Sequence, residues 1–287
     1  MKIYRFADVT SKARAIALGY FDGGHVGHAA LLRETVRIAS QQGYESSVFT
    51  FPSLPTKKGA PLSTLPDRLA FFEAMGVESV ILSPFDEVRD LSADAFAEDV
   101  LKAKLSAKAV VCGFNYRFGK GALGNNETLA RHFSECHVFP PHIYGDSPVS
   151  ASRIRASLTE GDISSVREML GRPYTVTGKV SHGKAVGHLL GFPTANILPQ
   201  TMLPRYGVYK TEVTVDGKTY RGLSDVGIRP TLEAEGMPRV ETFLANFSGD
   251  LYEKQLSVSF LSFVREEMKF DSPDALIAQI EKDLENL

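Results

Sequence analysis

A chain of 287 residues that is 43% hydrophobic and 23% charged can bury more than one core, so two modules are expected and disorder is not. A net charge of −2 supplies no basic field for a nucleic-acid backbone, and two cysteines outside any CxxC or His-interleaved cluster indicate neither a disulfide framework nor a structural zinc site. The opening MKIYRFADVT has no apolar signal core, and no run approaches the roughly 20 apolar residues of a membrane span. The expected setting is therefore reduced and cytoplasmic, with no membrane or nucleic-acid partner.

From Met1 to about Gly171, short apolar runs alternate with helical patterns, which predicts a parallel α/β sheet with crossover helices. Ala15 to Tyr20 reads as a strand. After the Gly23-Gly24 turn, Leu31, Leu32, Val36 and Ala39 recur at helical spacing until Gly43 supplies a stop. Val48 to Phe51, Val80 to Leu82 and Ala109 to Cys112 read as further buried strands, with helices at Pro66 to Met75 and Ala93 to Leu105. Beyond Gly171 the period falls to two in Tyr174 to Val180, Val208 to Val215 and Leu256 to Phe263. Asp216-Gly217 between apolar runs predicts a hairpin with a type I′ turn. One helix closes the chain, capped by Ser272 and started by Pro273, with Leu276, Ile277, Ile280 and Leu284 on one face. The texture changes within Ile163 to Leu170, which places the module boundary there.

Three pieces of the first half carry chemistry. In GYFDGGHVGH, His25 and His28 stand three apart at a helix start, and Gly23, Gly24 and Gly27 let backbone approach closely. Free N–H groups and the positive end of the helix dipole favour an anion there, and two imidazoles add donors for charge developing on phosphorus. A bare HxxH is more often a pair of surface or packed histidines; strand, Gly turn and helix around it reverse that preference. The run VVCGFNYRFGKGALGN leaves a buried strand for a Gly-rich loop bearing Asn115, Arg117 and Lys120, which suits a ligand at a strand's carboxyl end or a solvated surface loop. Ser150, Ser152, Arg153 and Arg155 start a helix, where they suit leaving pyrophosphate or a simple cap with solvated arginines. In the second half, Thr194 and Asn196 of GFPTAN offer hard oxygen ligands suited to Mg²⁺ carrying ATP phosphates. Glu241 in Val-Glu-Thr-Phe is a partly desolvated acid suited to general-base work, although alternation alone reads it as an outward strand carboxylate.

Taken in order, the first three pieces resemble the adenylyltransferase module of the prokaryotic bifunctional riboflavin kinase/FAD synthetase family, within the HxGH nucleotidyltransferase superfamily. GRPYTVTGKVSHGK, GFPTAN, VGIRPT, VETF and FVREEMKF follow in that family's order, so the resemblance covers nearly the whole chain. It implies an α/β nucleotidyltransferase-like N-terminal domain with a Rossmann-like parallel sheet, spanning 1–168. A mostly antiparallel β-barrel with a terminal helix, spanning 169–287, is implied as the kinase. The implied chemistry uses ATP and Mg²⁺ to convert riboflavin to FMN, then FMN to FAD with release of pyrophosphate. His25, His28 and Glu241 are then catalytic. Gly19, Phe21, Asp22, Gly23, Gly27, Asn115, Arg117, Ser150, Ser152, Arg153, Arg155, Gly183, Lys184 and Gly191 are implied to hold nucleotide. Thr194 and Asn196 would hold metal, and Arg265 with the final helix would border the flavin. Three departures stand out: Ser53-Leu54 where the family has a His between prolines, His188 where Arg is common, and a shortened hydroxyl run at Ser150-Ala151-Ser152. They motivate two narrower readings, a kinase with a nucleotide-binding but inactive first module, and a non-catalytic flavin- or nucleotide-binding regulator.

Overall fold

A computed structural model describes residues 1–53, 60–181, 194–228 and 238–285. The chain divides into two compact units, Met1–Gly59 with Ser63–Ser150, and Ala60–Leu62 with Ala151–Leu287.

In the first unit, six parallel strands run in the order β1-β4-β3-β2-β5-β6: β1 (Lys2–Arg5), β2 (Arg14–Leu18), β3 (Glu45–Thr50), β4 (Ser79–Leu82), β5 (Ala107–Gly113) and β6 (Glu135–Phe139). The four inner strands are apolar runs because helices cover both faces of the sheet. On one face α1 (Val26–Gln42) lays Leu31, Leu32, Ile38 and Ala39 over Ala15, Ala17, Val48, Val80, Ala109 and Val111. On the other, Phe96, Val100 and Leu101 cover Ile16, Leu18, Phe49, Ile81 and Val110. The edge strands β1 and β6 were not predicted, since KIYR and ECHVF are short and half-exposed and carry no apolar run. The unit also contains α2 (Leu65–Ala74), α4 (Asn126–His132) and a small hairpin, β7 (Ile143–Tyr144) with β8 (Ser147–Pro148).

The helix expected over Ala93 to Leu105 is instead a short α3 (Ala93–Ala95) that widens into a π-helix over Phe96–Lys104. Its last turn closes five residues back, from Leu105 N–H to Val100 O at 2.9 Å. The buried positions 96, 97, 100, 101 and 105 explain the widening. Phe96 to Leu101 and Val100 to Leu105 are five-residue steps, and i→i+5 winding keeps all five against the sheet where 3.6 residues per turn would spread them around the helix.

The second unit is a closed antiparallel barrel ordered β10-β13-β12-β11-β14-β9. Its strands are β9 (Tyr174–Ser181), β10 (Thr194–Ile197), β11 (Gly207–Val215), β12 (Lys218–Ile228), β13 (Pro238–Leu244) and β14 (Gln255–Arg265), and β9 pairs with β10 to close it. Val176, Val213, Val226, Val240, Val258 and Phe260 are fully buried, and a hydroxyl chain from Thr211 through Ser224 to Thr242, each step 2.8 Å, satisfies the polar groups buried with them. The β11–β12 hairpin turns through Asp216 (φ 50°) and Gly217 (φ 76°) with Val215 opposite Lys218, the positive pair that the type I′ turn requires. The helices α5 (Ala151–Glu160) and α6 (Ile163–Leu170) belong to this unit, with α6 packed on β9 and β14. The closing helix α7 (Pro273–Leu284) starts as expected, the Ser272 hydroxyl accepting Ala275 N–H at 3.2 Å.

Candidate active sites in the two units

The chain leaves β2 at Leu18, which is paired with Cys112 near the end of β5, so the loops after these two strands emerge side by side. Because β3 and β4 continue on one side of β2 while β5 and β6 lie on the other, this is the point where the sheet changes direction and where open α/β sheets leave a crevice. The GYFDGGHVGH and GFNYRFGKGALGN segments are thereby brought together.

Within the first loop, Phe21 (φ 60°), Gly23 (φ 72°) and Gly24 (φ 53°) take left-handed conformations that fold the strand end back into α1. A Cβ on Gly24 would stand 2.9 Å from the Phe71 ring, so glycine is required there for close approach as well as for its φ. His25 is the N-cap of α1, its Nδ1 accepting the His28 N–H at 3.2 Å, and the two imidazoles stack with centroids 3.5 Å apart and planes 16° apart. Phe21 is buried, its ring edge-on to His28 and Phe72. Gly27 lies under the His25 ring, a Cβ there falling 3.3 Å from it and 3.6 Å from His142 Cβ. The result is two rings on one face of a helix start, as the spacing predicts.

The turn is braced by residues whose role the sequence did not signal. Asp22 is 5% exposed, and its Oδ1 accepts the backbone N–H and hydroxyl of Ser63 at 3.1 and 3.2 Å, while the Ser63 hydroxyl accepts Gly23 N–H at 2.8 Å. Next to it Thr64 and Asp67 form a reciprocal capping box that starts α2. Arg68, 1% exposed, donates to Tyr20 O (3.0 Å), Thr50 Oγ1 (3.2 Å), Phe51 O (3.0 Å) and Pro52 O (2.9 Å), and lies 4.2 Å from the Tyr20 ring. Burial pushes its guanidinium down from the ordinary value, with Tyr20 and Asp22 working the other way. It ties the ends of β2 and β3 together. No sequence pattern links Arg68 to Tyr20 or Ser63 to Asp22, because each pair spans more than forty positions.

After β5, Cys112 donates its S–H to Asn126 Oδ1 at 3.3 Å and Asn126 Nδ2 donates to Phe114 O at 2.8 Å, so the strand end, the loop and α4 are joined. Asn115, Arg117 and Lys120 are exposed on that loop. Ser150 closes the first unit, and Ser152, Arg153 and Arg155 lie on α5 of the second.

In the barrel, cross-strand register assembles the second site. Asn196 of β10 faces Glu241 of β13, and Glu241 faces Asp225 of β12. Thr194, two residues before Asn196 and so on the same face, donates its hydroxyl to Glu241 Oε1 at 2.6 Å. Val240 and Thr242 alternate with Glu241 into the barrel, so Glu241 stands on the outer wall, as alternation predicts, yet is only half exposed. Asn196 is 7% exposed, and its Oδ1 has no hydrogen-bond partner among the described residues. An acceptor-only atom buried beside a carboxylate and a hydroxyl is a donor set that fits a hard cation. Asp225 was missed in the sequence because the pairing of β12 with β13 is not visible there. Arg265 ends β14, its Nε donating to Asp283 of α7 at 2.9 Å. Gly183, Lys184, Gly191 and His188 lie outside the described residues, as does Leu54.

The family model described as FAD synthetase matches residues 8–153, and that described as riboflavin kinase matches residues 170–287. A bifunctional riboflavin kinase/FMN adenylyltransferase of Haemophilus influenzae is 34% identical over 284 residues, covering 94% of this chain and 92% of the relative. Relatives of the same description from Listeria monocytogenes and Escherichia coli K12 are 32% and 30% identical, covering 94% and 98% of this chain and 90% and 94% of their own. A crystal structure described as a macrolide-efflux protein from Streptococcus pneumoniae superposes with a TM-score of 0.90 at 29% identity, covering 99% of this chain and 98% of that one. No helix among the described residues is long and apolar enough to cross a membrane.

Proposed function

Because the chain belongs to the bifunctional riboflavin kinase/FMN adenylyltransferase family, phosphorylating riboflavin to FMN and adenylylating FMN to FAD, we propose how its own residues divide the two reactions. Neither narrower reading finds support beside relatives matched over nearly the whole chain.

Adenylyl transfer belongs to the module at 1–168. The FMN phosphate attacks the α-phosphorus of ATP and pyrophosphate leaves, so negative charge builds on the equatorial oxygens of that phosphorus. His25 and His28 and the first amides of α1 are the donors for that charge. The turn from Gly19 through Phe21, Asp22, Gly23 and Gly27 brings backbone against the phosphates, and Asn115 and Arg117 on the adjoining loop hold the nucleotide. Ser150, Ser152, Arg153 and Arg155 are assigned to the leaving pyrophosphate through the family resemblance. The support for this reading is the shared exit of the two loops at Leu18 and Cys112.

Phosphorylation belongs to the module at 169–287. The observation that carries it is the convergence of Thr194, Asn196 and Glu241 on one stretch of barrel wall. Glu241 takes the proton of the riboflavin 5′-hydroxyl as that oxygen attacks the γ-phosphorus and ADP leaves with the bridging oxygen, and the Thr194 hydroxyl orients the carboxylate. Thr194 Oγ1 and the buried Asn196 Oδ1 would hold Mg²⁺. The ion, when bound, neutralises charge on the ATP phosphates. Gly183, Lys184 and Gly191 are assigned to the nucleotide loop and Arg265 to the flavin through the family resemblance. Both reactions are placed in the cytoplasm, in keeping with the free thiols of Cys112 and Cys136.

Replacing Glu241 by Gln keeps the shape and removes the base. FMN formation should fall by roughly 10²- to 10⁴-fold, while supplied FMN is still converted to FAD, both read by chromatography of the flavins. Near-normal FMN formation in this variant would remove Glu241 from the mechanism.

A further inference from the structure

Arg265 is held by more than the strand that carries it. The register of β14 with β11 slips twice, between Thr211↔Phe260 and Lys210↔Ser262 and again between Tyr209↔Phe263 and Val208↔Arg265, leaving Leu261 and Val264 as extra residues. Phe263 pairs with the buried Tyr209, and the two rings meet at 5.3 Å. Arg265 instead comes opposite Val208, and Val208 is opposite Asp225, which is opposite Glu241. The first slip turns Phe263 to the side of Tyr209 and the second returns Arg265 to the outer surface of the barrel, on which Glu241 also stands. Three of the six strand spacings of the closed barrel separate them, about 14 Å of wall at roughly 4.8 Å each.

The guanidinium is then fixed from α7. Arg265 Nε donates to Asp283 Oδ2 at 2.9 Å, and its NH1 donates to Glu266 O at 3.0 Å. The Phe270 ring centroid lies 5.9 Å from its central carbon. Asp283 is one of the few deeply buried carboxylates, its side chain 4% exposed against 18% for Arg265. Its second oxygen accepts from Gln279 Nε2 at 2.8 Å, one helical turn earlier, so the carboxylate cannot rotate without breaking one bond or the other. Three of the five guanidinium N–H groups have no acceptor among the described residues. Stability does not account for such a pair, since burying two charges costs about as much as their attraction returns and well-packed apolar residues do as well. What the pair provides is a guanidinium plane with one edge committed and the remaining donors presented in a fixed direction.

We infer that Asp283 is a positioning residue for riboflavin phosphorylation: it locks the Arg265 plane so that the remaining donors face the polar edge of the isoalloxazine ring. The ring is thereby anchored at one end while Glu241 meets the 5′-hydroxyl at the other. The inference rests on the reading that Arg265 borders the flavin.

The test uses the full chain with Asp283→Asn, Arg265→Ala and the double variant. Riboflavin affinity is read from quenching of flavin fluorescence, with KM for riboflavin and for ATP, kcat, and FAD formation from supplied FMN measured alongside. Asp283→Asn should weaken riboflavin binding about tenfold, the worth of a charge-assisted hydrogen bond, with KM for ATP and FAD formation unchanged. The double variant should be no weaker than Arg265→Ala alone, because two residues acting through one group are not additive. If Arg265→Ala weakens riboflavin binding and Asp283→Asn does not, or if their effects add, the positioning role is wrong. If Arg265→Ala itself leaves riboflavin affinity unchanged, the underlying flavin assignment is wrong instead. Should Asp283→Asn unfold the barrel, Asp283→Glu keeps the charge but displaces it by one methylene. A folded Asp283→Glu chain with weakened riboflavin binding supports the role, and one with wild-type affinity overturns it.

Discussion

Replacing Arg68 by Met removes a buried cation while keeping most of its aliphatic volume. The carbonyls of Phe51 and Pro52 lose the donor it supplies, while Tyr20 O keeps the Thr50 hydroxyl at 3.3 Å and Thr50 Oγ1 loses one bond. A buried acceptor left unsatisfied costs about 1–3 kcal/mol. These carbonyls are only partly buried, which puts each near the low end, and removing a desolvated charge returns some of the loss. A net destabilisation of about 2 kcal/mol follows, or a fall of roughly 4–8 °C in the melting temperature of the first unit at about 2–4 °C per kcal/mol for a domain of this size. Differential scanning calorimetry reads it directly. Below that melt the GYFDGG turn is no longer clamped, and a displacement near 1 Å at the reacting groups costs roughly 10²-fold in rate. FAD formation from supplied FMN should fall by that order, while riboflavin phosphorylation in the same sample stays normal. An Arg68→Met chain that melts within about 1 °C of the parent and makes FAD at the parental rate would refute both the clamp and the arithmetic.

The remaining expectations are shorter. His28→Ala keeps the helix dipole and the backbone amides, so ATP should still bind while FAD formation falls roughly 10²- to 10³-fold and FMN accumulates; unchanged turnover would make the histidine a packing residue. A fragment of residues 151–287 should melt well above one of residues 169–287, because the shorter one discards Ile163 and Val166 of α6, which are buried on the barrel unit at 3% and 0% exposure; each such side chain contributes about 1.5–3 kcal/mol, and equal melting temperatures would mean that α6 is not part of that fold. His132 bridges Asp94 (2.7 Å) and Glu98 (2.7 Å), and hydrogen bonds to Asp94 first and Glu98 second raise its imidazole above the ordinary value. A raised value means the stabilisation is complete below about pH 6.5 and is lost as pH rises through the folded value. Urea melts should therefore show the first unit weakening from pH 6 to pH 8.5, with part of that slope absent in His132→Gln and smaller at high salt; identical slopes in the two chains would exclude the bridge.

Features decided within a few residues were legible in the sequence. The α1 start at His25, its stop at Gly43, the Asp216-Gly217 turn and the Ser272 cap all follow from local conformational preference and hydrogen bonding, and each stands where the residues put it. The pattern of covered inner strands and alternating barrel strands was legible for the same reason, since burial on both faces or on one leaves its period in the sequence. The ordered motifs also carried the resemblance that named both reactions.

What tertiary structure decided is which of these local pieces meet. Alternation places Glu241 outward, but only the pairing of β13 with β10 and β12 puts Asn196 and Asp225 beside it. Strict alternation would put Phe263 and Arg265 on one face, and the slip in register against β11 separates them. The π-helix over Phe96–Lys104 exists because the sheet beneath selects one face, and Arg68 braces the turn after β2 because α2 packs behind it. The physical reason is common to all four: side-chain direction is a local property of the backbone, whereas register and packing are settled by the free energy of burying one element on another far away in the chain.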